Sequence, residues 1–371
     1  MAYPLFAPQN QRVIDKYGKK YATKAQYMVY SGPFKLVNWN GTGNHWQFVK
    51  NDQYWDKKVV KLHKITYQVL GNPTTGVEIF QQKKLSLTLL SNQQVKNYQN
   101  SSLFKEYPYS LINYLKWNFH DPDETNNKVT NNQNIRQAVA LAINRPQLTE
   151  KVLGDGSRVP TGFVPGGLAH DPKNGRDFAD EQAVPDTVTY NPSLARRKFA
   201  AGLKEIGEKQ VHLTLLAADD DASSTVVTQY LKSQLEKTLP NFTLNIRSIP
   251  GKAANQQGQK GDFDISLSSW GGDFNDPITF LQIPQSNTAY NYGKWSDKTY
   301  DELISRAEGA DANTPERRWQ DLVSASQRLN EVQSFTPLYQ ANYAYLQQKD
   351  VHGIIHNTAG TQWNYKYTYI K

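Results

Sequence analysis

Between residues 30 and 70 apolar side chains recur at every second position: Phe34 and Leu36, then Trp46 and Phe48, then Ile65, Tyr67 and Val69. A period of two predicts strands with one face covered. Ser31-Gly32-Pro33 and Gly71-Asn72-Pro73 punctuate the ends, so this stretch reads as a half-buried sheet. Val77, Ile79 and Phe80 then predict a short helix over 75–84, with a threonine cap. Further on the period lengthens. Ile135, Ala138, Val139, Ala142 and Ile143 fall on one face of a helix, and Pro146 can open a second helix that stops at Gly154. Residues 154–169 form a Gly/Pro loop.

From residue 191 the two periods alternate. Asn191-Pro192 opens a helix that buries Ala195, Phe199, Leu203 and Ile206 and stops at Gly207; Val211, Leu213 and Leu215 follow as a strand. Ser223 or Ser224 caps the next helix, with Val227, Tyr230, Leu231 and Leu235 on its inner face. Two strands follow, one with Phe242, Leu244 and Ile246 and one with Phe263, Ile265 and Leu267. Strand, helix and strand in succession predict an α/β lobe. Two more helices are expected, around 300–307 and from Thr314-Pro315 through Trp319, Leu322 and Leu329. The tail from Thr336 is strand-like and carries Tyr339, Tyr343, Tyr345, Trp363, Tyr365, Tyr367 and Tyr369.

Length changes this picture from one body to two, because 371 residues exceed the size at which single cores stop growing. No repeat or low-complexity linker occurs, so the boundaries are expected in ordered crossings near Tyr114 and Tyr339. Lobe one then comprises residues 1–113 and 340–371, and lobe two residues 114–339. With 38% hydrophobic and 12% aromatic residues the chain is expected to fold. No apolar run reaches spanning length, and residues 1–11 show neither the basic nor the apolar region of a signal peptide. The absence of cysteine excludes disulfides, thiolate metal sites and cysteine nucleophiles. The net charge of +8 is scattered, with no cluster longer than Arg196-Arg197-Lys198, which argues against nucleic-acid binding.

Catalytic and metal chemistry find little support. His352 and His356 are separated by Gly353-Ile354-Ile355, a poor helix with no acid between the histidines, unlike a zinc protease site. His120-Asp121-Pro122-Asp123-Glu124 reads as a solvated turn. Gly41-Thr42-Gly43 lacks the third glycine of a dinucleotide fingerprint, and neither a phosphate-binding loop nor a serine nucleophile elbow occurs. No metal, cofactor or enzymatic activity is expected. The best candidate site is Ser269-Trp270-Gly271-Gly272-Asp273-Phe274-Asn275-Asp276-Pro277, which follows a strand ending at Ser269, where open α/β sheets place their ligands. By spacing alone, Asp273 is either a ligand-binding carboxylate or a turn or cap residue before Pro277, and Trp270 either meets the ligand or belongs to the core.

Four blocks in order carry a resemblance. They are Ser31-Gly32-Pro33-Phe34 with Asn51-Asp52-Gln53-Tyr54-Trp55; Arg136-Gln137-Ala138 through Ala142-Ile143-Asn144-Arg145; Gly207 before Val211; and Trp270 to Pro277. Over nearly its whole length the chain resembles the oligopeptide- and dipeptide-binding receptors of ABC importers. The resemblance implies an α/β, two-lobe, periplasmic-binding-protein-like (type II) architecture with mixed sheets, in which the lobes close over an oligopeptide without converting it. It implies that Asp273 pairs with the peptide's α-ammonium, that Trp270 packs on a peptide side chain, and that Ser269, Gly271, Gly272 and Asn275 add further ligand contacts. Tyr114, Trp117, Asn118 and Tyr339 fall where the family's chain crosses between lobes and are expected hinge positions. The partners implied are an oligopeptide and the permease subunits, for a monomeric, extracellular protein of a family that includes lipoproteins. Family members start well upstream of the block that begins here at Tyr3-Pro4-Leu5-Phe6, so an N-terminally truncated lobe one is expected. Some members that prefer very short peptides carry arginine where Leu267 stands, so a fixed anchor for the peptide C-terminus is not expected at that position.

Overall fold

A computed structural model describes residues 7–220 and 222–371; the expected opening block at residues 3–6 lies outside the described residues. The principal strands are β1 (Phe34–Val37), β2 (His45–Lys50), β3 (Lys64–Gln68), β4 (Leu87–Leu89), β5 (Phe104–Trp117), β6 (Val211–Ala218), β7 (Phe242–Ile249), β8 (Ile265–Gly271) and β9 (Phe335–Gln347). The chain divides into two compact units, Met1–Tyr107 with Tyr343–Lys371, and Pro108–Asn342.

In the first unit β1, β2 and β3 form an antiparallel sheet, with Leu36 opposite Phe48 and Phe48 opposite Ile65. The three strands expected from alternation are therefore present, and their apolar side chains are half-buried. Asn51 is buried and ties the entrance to β1, donating from Nδ2 to the Gly32 carbonyl at 2.9 Å while Oδ1 accepts from Gln53 N at 3.2 Å. The next helix spans Pro73–Gln81, and its cap is Asn72 rather than a threonine. Pro73 fits the first helical turn because it has no N–H to satisfy, which puts the capping position one residue earlier; Asn72 Oδ1 accepts from Thr74 N at 2.8 Å. β4 pairs with the end of β9, and Val77, Phe80, Leu90, Val95, Ala344 and Leu346 pack into a small core.

The second unit is built on a mixed sheet in the order β9-β5-β8-β6-β7. β6 is parallel to β7 and to β8, and β8 is antiparallel to β5. The connection from β6 to β7 is the helix Ala222–Thr238, which completes the expected strand-helix-strand unit. That helix starts before Ser223, so Ser223 and Ser224 lie in its first turn and not at its cap. The helix Gln133–Ala142 buries Ile135, Ala138, Val139 and Ala142 completely, as its stripe predicts. It packs on the helix Pro192–Ile206 so closely at Gly202 that a Cβ there would stand 2.6 Å from Ile135 Cγ1. Gly207 ends that second helix at φ +75°, a left-handed conformation that glycine adopts without strain. Pro146 and Gly154 frame a short helical stretch, 145–153, with Gly154 at φ +60°. The fold is α/β with a mixed sheet, as expected.

The two arginines of the second sequence block serve this core. Arg136 is buried and donates to the Thr130 and Val332 carbonyls at 2.8 and 3.0 Å. Arg145 is wholly buried and donates to the carbonyls of Ala140, Val188 and Pro337 at 2.7–2.8 Å. Backbone oxygens solvate these cations in place of water, and burial lowers both guanidinium groups to about 9.

Candidate functional site

β8 runs two residues further than its apolar alternation suggests, so Trp270 and Gly271 belong to the strand. Gly272 N still donates to the Ser110 carbonyl at 2.8 Å, because antiparallel β5 continues alongside. A Cβ at Gly271 would meet the Tyr109 ring at its hydroxyl end, so any larger residue there requires that ring to shift. The chain then turns through Asp273 to Pro277 into the short helix Ile278–Leu281.

The two aspartates of this turn have different environments. Asp276 accepts two hydrogen bonds from Arg318, at 2.8 and 2.9 Å, and a third from Ile278 N at 3.0 Å. The Asp276 carboxylate is thus engaged within the turn and by Arg318. Asp273 is half-buried; its N–H donates to Thr279 Oγ1 at 3.0 Å and its Oδ2 accepts from the same hydroxyl at 3.5 Å. Among the described residues no cationic side chain forms an ion pair with Asp273. It is a carboxylate with spare acceptor capacity at the end of a central strand. Asn275 and Phe274 are exposed.

A cavity of about 400 Å³ lies beside β8 within the second unit. Ser269 and Trp270 line it, and Tyr114, Lys116, Tyr290 and Tyr292 form much of the remaining wall. Asp273, Gly271, Gly272 and Asn275 are not among its lining residues, so the sequence-derived site is split between the cavity wall and the turn beyond the strand. Trp270 is half-buried and meets Tyr290 edge to face at 4.9 Å.

The four expected hinge residues are buried in the second unit. Tyr114 packs edge to face on Phe163 at 4.9 Å, and Trp117 Nε1 donates to Thr336 Oγ1 at 3.1 Å. Asn118 Nδ2 spans the carbonyls of Gly261 and Phe263 at 3.0 and 2.8 Å, holding the end of β5 to the start of β8. Tyr339 belongs to the same hydrophobic core. Their contacts are those of packed strands.

Sequence reading passed over Lys116. In Tyr114-Leu115-Lys116-Trp117 it reads as the solvent side of an alternating strand, yet all four residues are buried because this part of β5 is covered on both faces. Lys116 is 5% exposed; its Nζ reaches the Tyr290 carbonyl at 3.4 Å and lies 4.4 Å from the centre of the Tyr292 ring. Desolvation lowers the ammonium to about 8. The signal that could have exposed it is the run of apolar residues on both sides of the lysine.

The turn after β5 also departs from expectation. Asp121 is not solvated: it is 7% exposed, interacts with Asp264, and burial with that neighbouring carboxylate raises it to about 6. The rest of the block is as expected: His120, Pro122, Asp123 and Glu124 are exposed, Asp121 Oδ1 accepts from Asp123 N at 2.9 Å within the turn, and Asp123 caps the helix Glu124–Asn131. His352 and His356 lie on separate two-residue strands, and among the described residues no three acidic, histidine or cysteine side chains cluster as metal ligands.

Residues 1–292 match the family described as bacterial extracellular solute-binding proteins, family 5 Middle. The chain belongs to this family. It is 34% identical to a dipeptide-binding protein of Lactococcus lactis subsp. cremoris over 380 residues, covering all of this chain and 68% of that protein. Identity to the dipeptide-binding protein DppE of Bacillus subtilis is 25%, over 96% of this chain and 63% of the relative. A solved structure of Listeria monocytogenes OppA bound to peptide superposes with a TM-score of 0.88 at 33% identity, covering all of this chain and 70% of that one. The family's fold, expected from four sequence blocks, is thus the fold of this chain. The chain spans about two thirds of the length of the relatives it matches.

Proposed function

We propose that this family-5 protein is the extracellular substrate-binding component of an ABC importer and holds an oligopeptide without converting it. The observation that carries the reading is the contrast between Asp276, held by Arg318, and Asp273, which among the described residues has a hydroxyl partner and no cation. A free peptide N-terminus supplies the missing cation, and a charge-assisted bond at a half-buried carboxylate favours a primary ammonium over a blocked one. Trp270 and Ser269 offer an aromatic face and a polar rim to the residues that follow, while extended backbone pairing provides affinity with little dependence on sequence. The dipeptide- and peptide-binding relatives support the ligand class.

In this reading the protein acts as a monomer outside the cytoplasmic membrane and delivers its ligand to permease subunits. No helix among the described residues is long and apolar enough to cross a membrane, which accords with a receptor domain. Tyr114 and Tyr339, on the strands that contain both unit boundaries, are the proposed positions of backbone adjustment. Titration calorimetry with mixtures of three- to eight-residue peptides tests the function. Saturable one-to-one binding is expected; binding of a sugar or metal chelate in preference to every peptide length would contradict it.

A further inference from the structure

We propose that the cavity around Lys116 is a subsite for a carboxylate of the bound peptide, so that this protein prefers ligands carrying an acidic group at one position. The inference rests on the peptide-binding reading and deepens it.

Two buried donors line the same cavity without adequate acceptors. Lys116 has three N–H donors, and among the described residues its one hydrogen bond is the 3.4 Å contact to the Tyr290 carbonyl. Trp270 Nε1 is buried and has no hydrogen-bond partner among the described residues. Among the described residues no carboxylate lies within ion-pair distance of Lys116, and the surroundings of its ammonium are rings: Tyr292 at 4.4 Å, Tyr114 and Phe335 each at 5.9 Å. Aromatic faces attract a cation but leave its hydrogens unbonded, and a buried charge normally has an ionic partner. Across β8, the Ser266 and Ser268 hydroxyls bond each other at 3.2 Å and line the same space. The cavity is therefore rich in donors, cationic and walled by aromatic rings, a combination that complements a flat anion with two acceptor oxygens. A volume of about 400 Å³ accommodates an amino-acid side chain or a chain end. The lowered ammonium is consistent with a site that gains its ionic partner only when ligand arrives.

A peptide offers such a carboxylate either from an Asp or Glu side chain or from its C-terminus. Calorimetry at pH 7 distinguishes them with matched peptides, Glu against Gln at each position and free acid against C-terminal amide, on the wild-type protein and on Lys116→Met. The Met variant keeps the length of the side chain and removes a buried charge, so it is expected to fold. We expect one pair to differ by about tenfold in Kd on the wild type, and that ratio to fall to near one in Lys116→Met. The pair that responds identifies the source. Wild-type binding without any acid-over-amide preference, or a preference that survives Lys116→Met, overturns the subsite while leaving peptide binding intact. Failure of every peptide to bind overturns both proposals.

Discussion

The segment of residues 7–70 and the unit Pro108–Asn342 are both regular in secondary structure, yet they hold their residues in different ways. In the first, Asn51 and Val60 are the buried described residues, β1, β2 and β3 carry half-buried side chains, and Trp55 is 82% exposed. In the second, Leu115, Trp117, Ile135, Phe199, Leu213, Leu231 and Ile265 are essentially inaccessible and join one core. Hydrogen-bonded register is thus present in both, but only the second adds the close packing that makes unfolding costly. A sequence pattern that predicts a strand predicts its pairing and says little about how much lies over it.

The contrast can be tested by mutation. Ile135→Ala removes a wholly buried side chain at the Gly202 helix crossing and is expected to cost about 2–5 kcal/mol in urea unfolding followed by circular dichroism. Phe48→Ala, on half-buried β2, is expected to cost less than half as much; equal losses would remove the distinction. Arg145→Met leaves three carbonyls without their donor and is expected to destabilise by about 2–4 kcal/mol, despite the removal of a buried charge. Limited proteolysis is expected to cut within 7–70 before it cuts the helices of Pro108–Asn342, and early cuts in those helices would reverse the ranking.

The smallest expected effect is a pH dependence. The carboxyl of Asp121 titrates near 6 in the fold, against about 3.8 when unhindered, because burial and Asp264 disfavour its anion. Between those values the folded chain retains a proton that the unfolded chain has released. This stabilisation is present in acid and is lost as pH rises through about 6. Asp121→Asn keeps the acceptor for Asp123 N and is expected to be more stable than the wild type at pH 7, on the order of 1 kcal/mol, an advantage that shrinks as pH falls below about 6 and is gone only below about 3.8.

Legibility in the sequence follows the same physical line. The stripe from Ile135 to Ile143 and the glycine at 207 were readable because helical period and left-handed backbone are local properties. Lys116 and Asp121 were not, because a central strand covered on both faces and a carboxylate pair distant in sequence are set by tertiary structure. At the candidate site the block Trp270 to Pro277 was legible as a unit. The division of labour within it depended on Arg318, which lies on the helix Pro315–Val332 and takes Asp276 instead of Asp273.

The most direct test of the central claim is a calorimetric cycle with one peptide, amino-free and N-acetylated, on the wild type and on Asp273→Asn. The account predicts that acetylation weakens binding to the wild type by at least about tenfold and has little effect on the variant, since the ammonium and the carboxylate report on one bond. Equal sensitivity to acetylation in both proteins would contradict it.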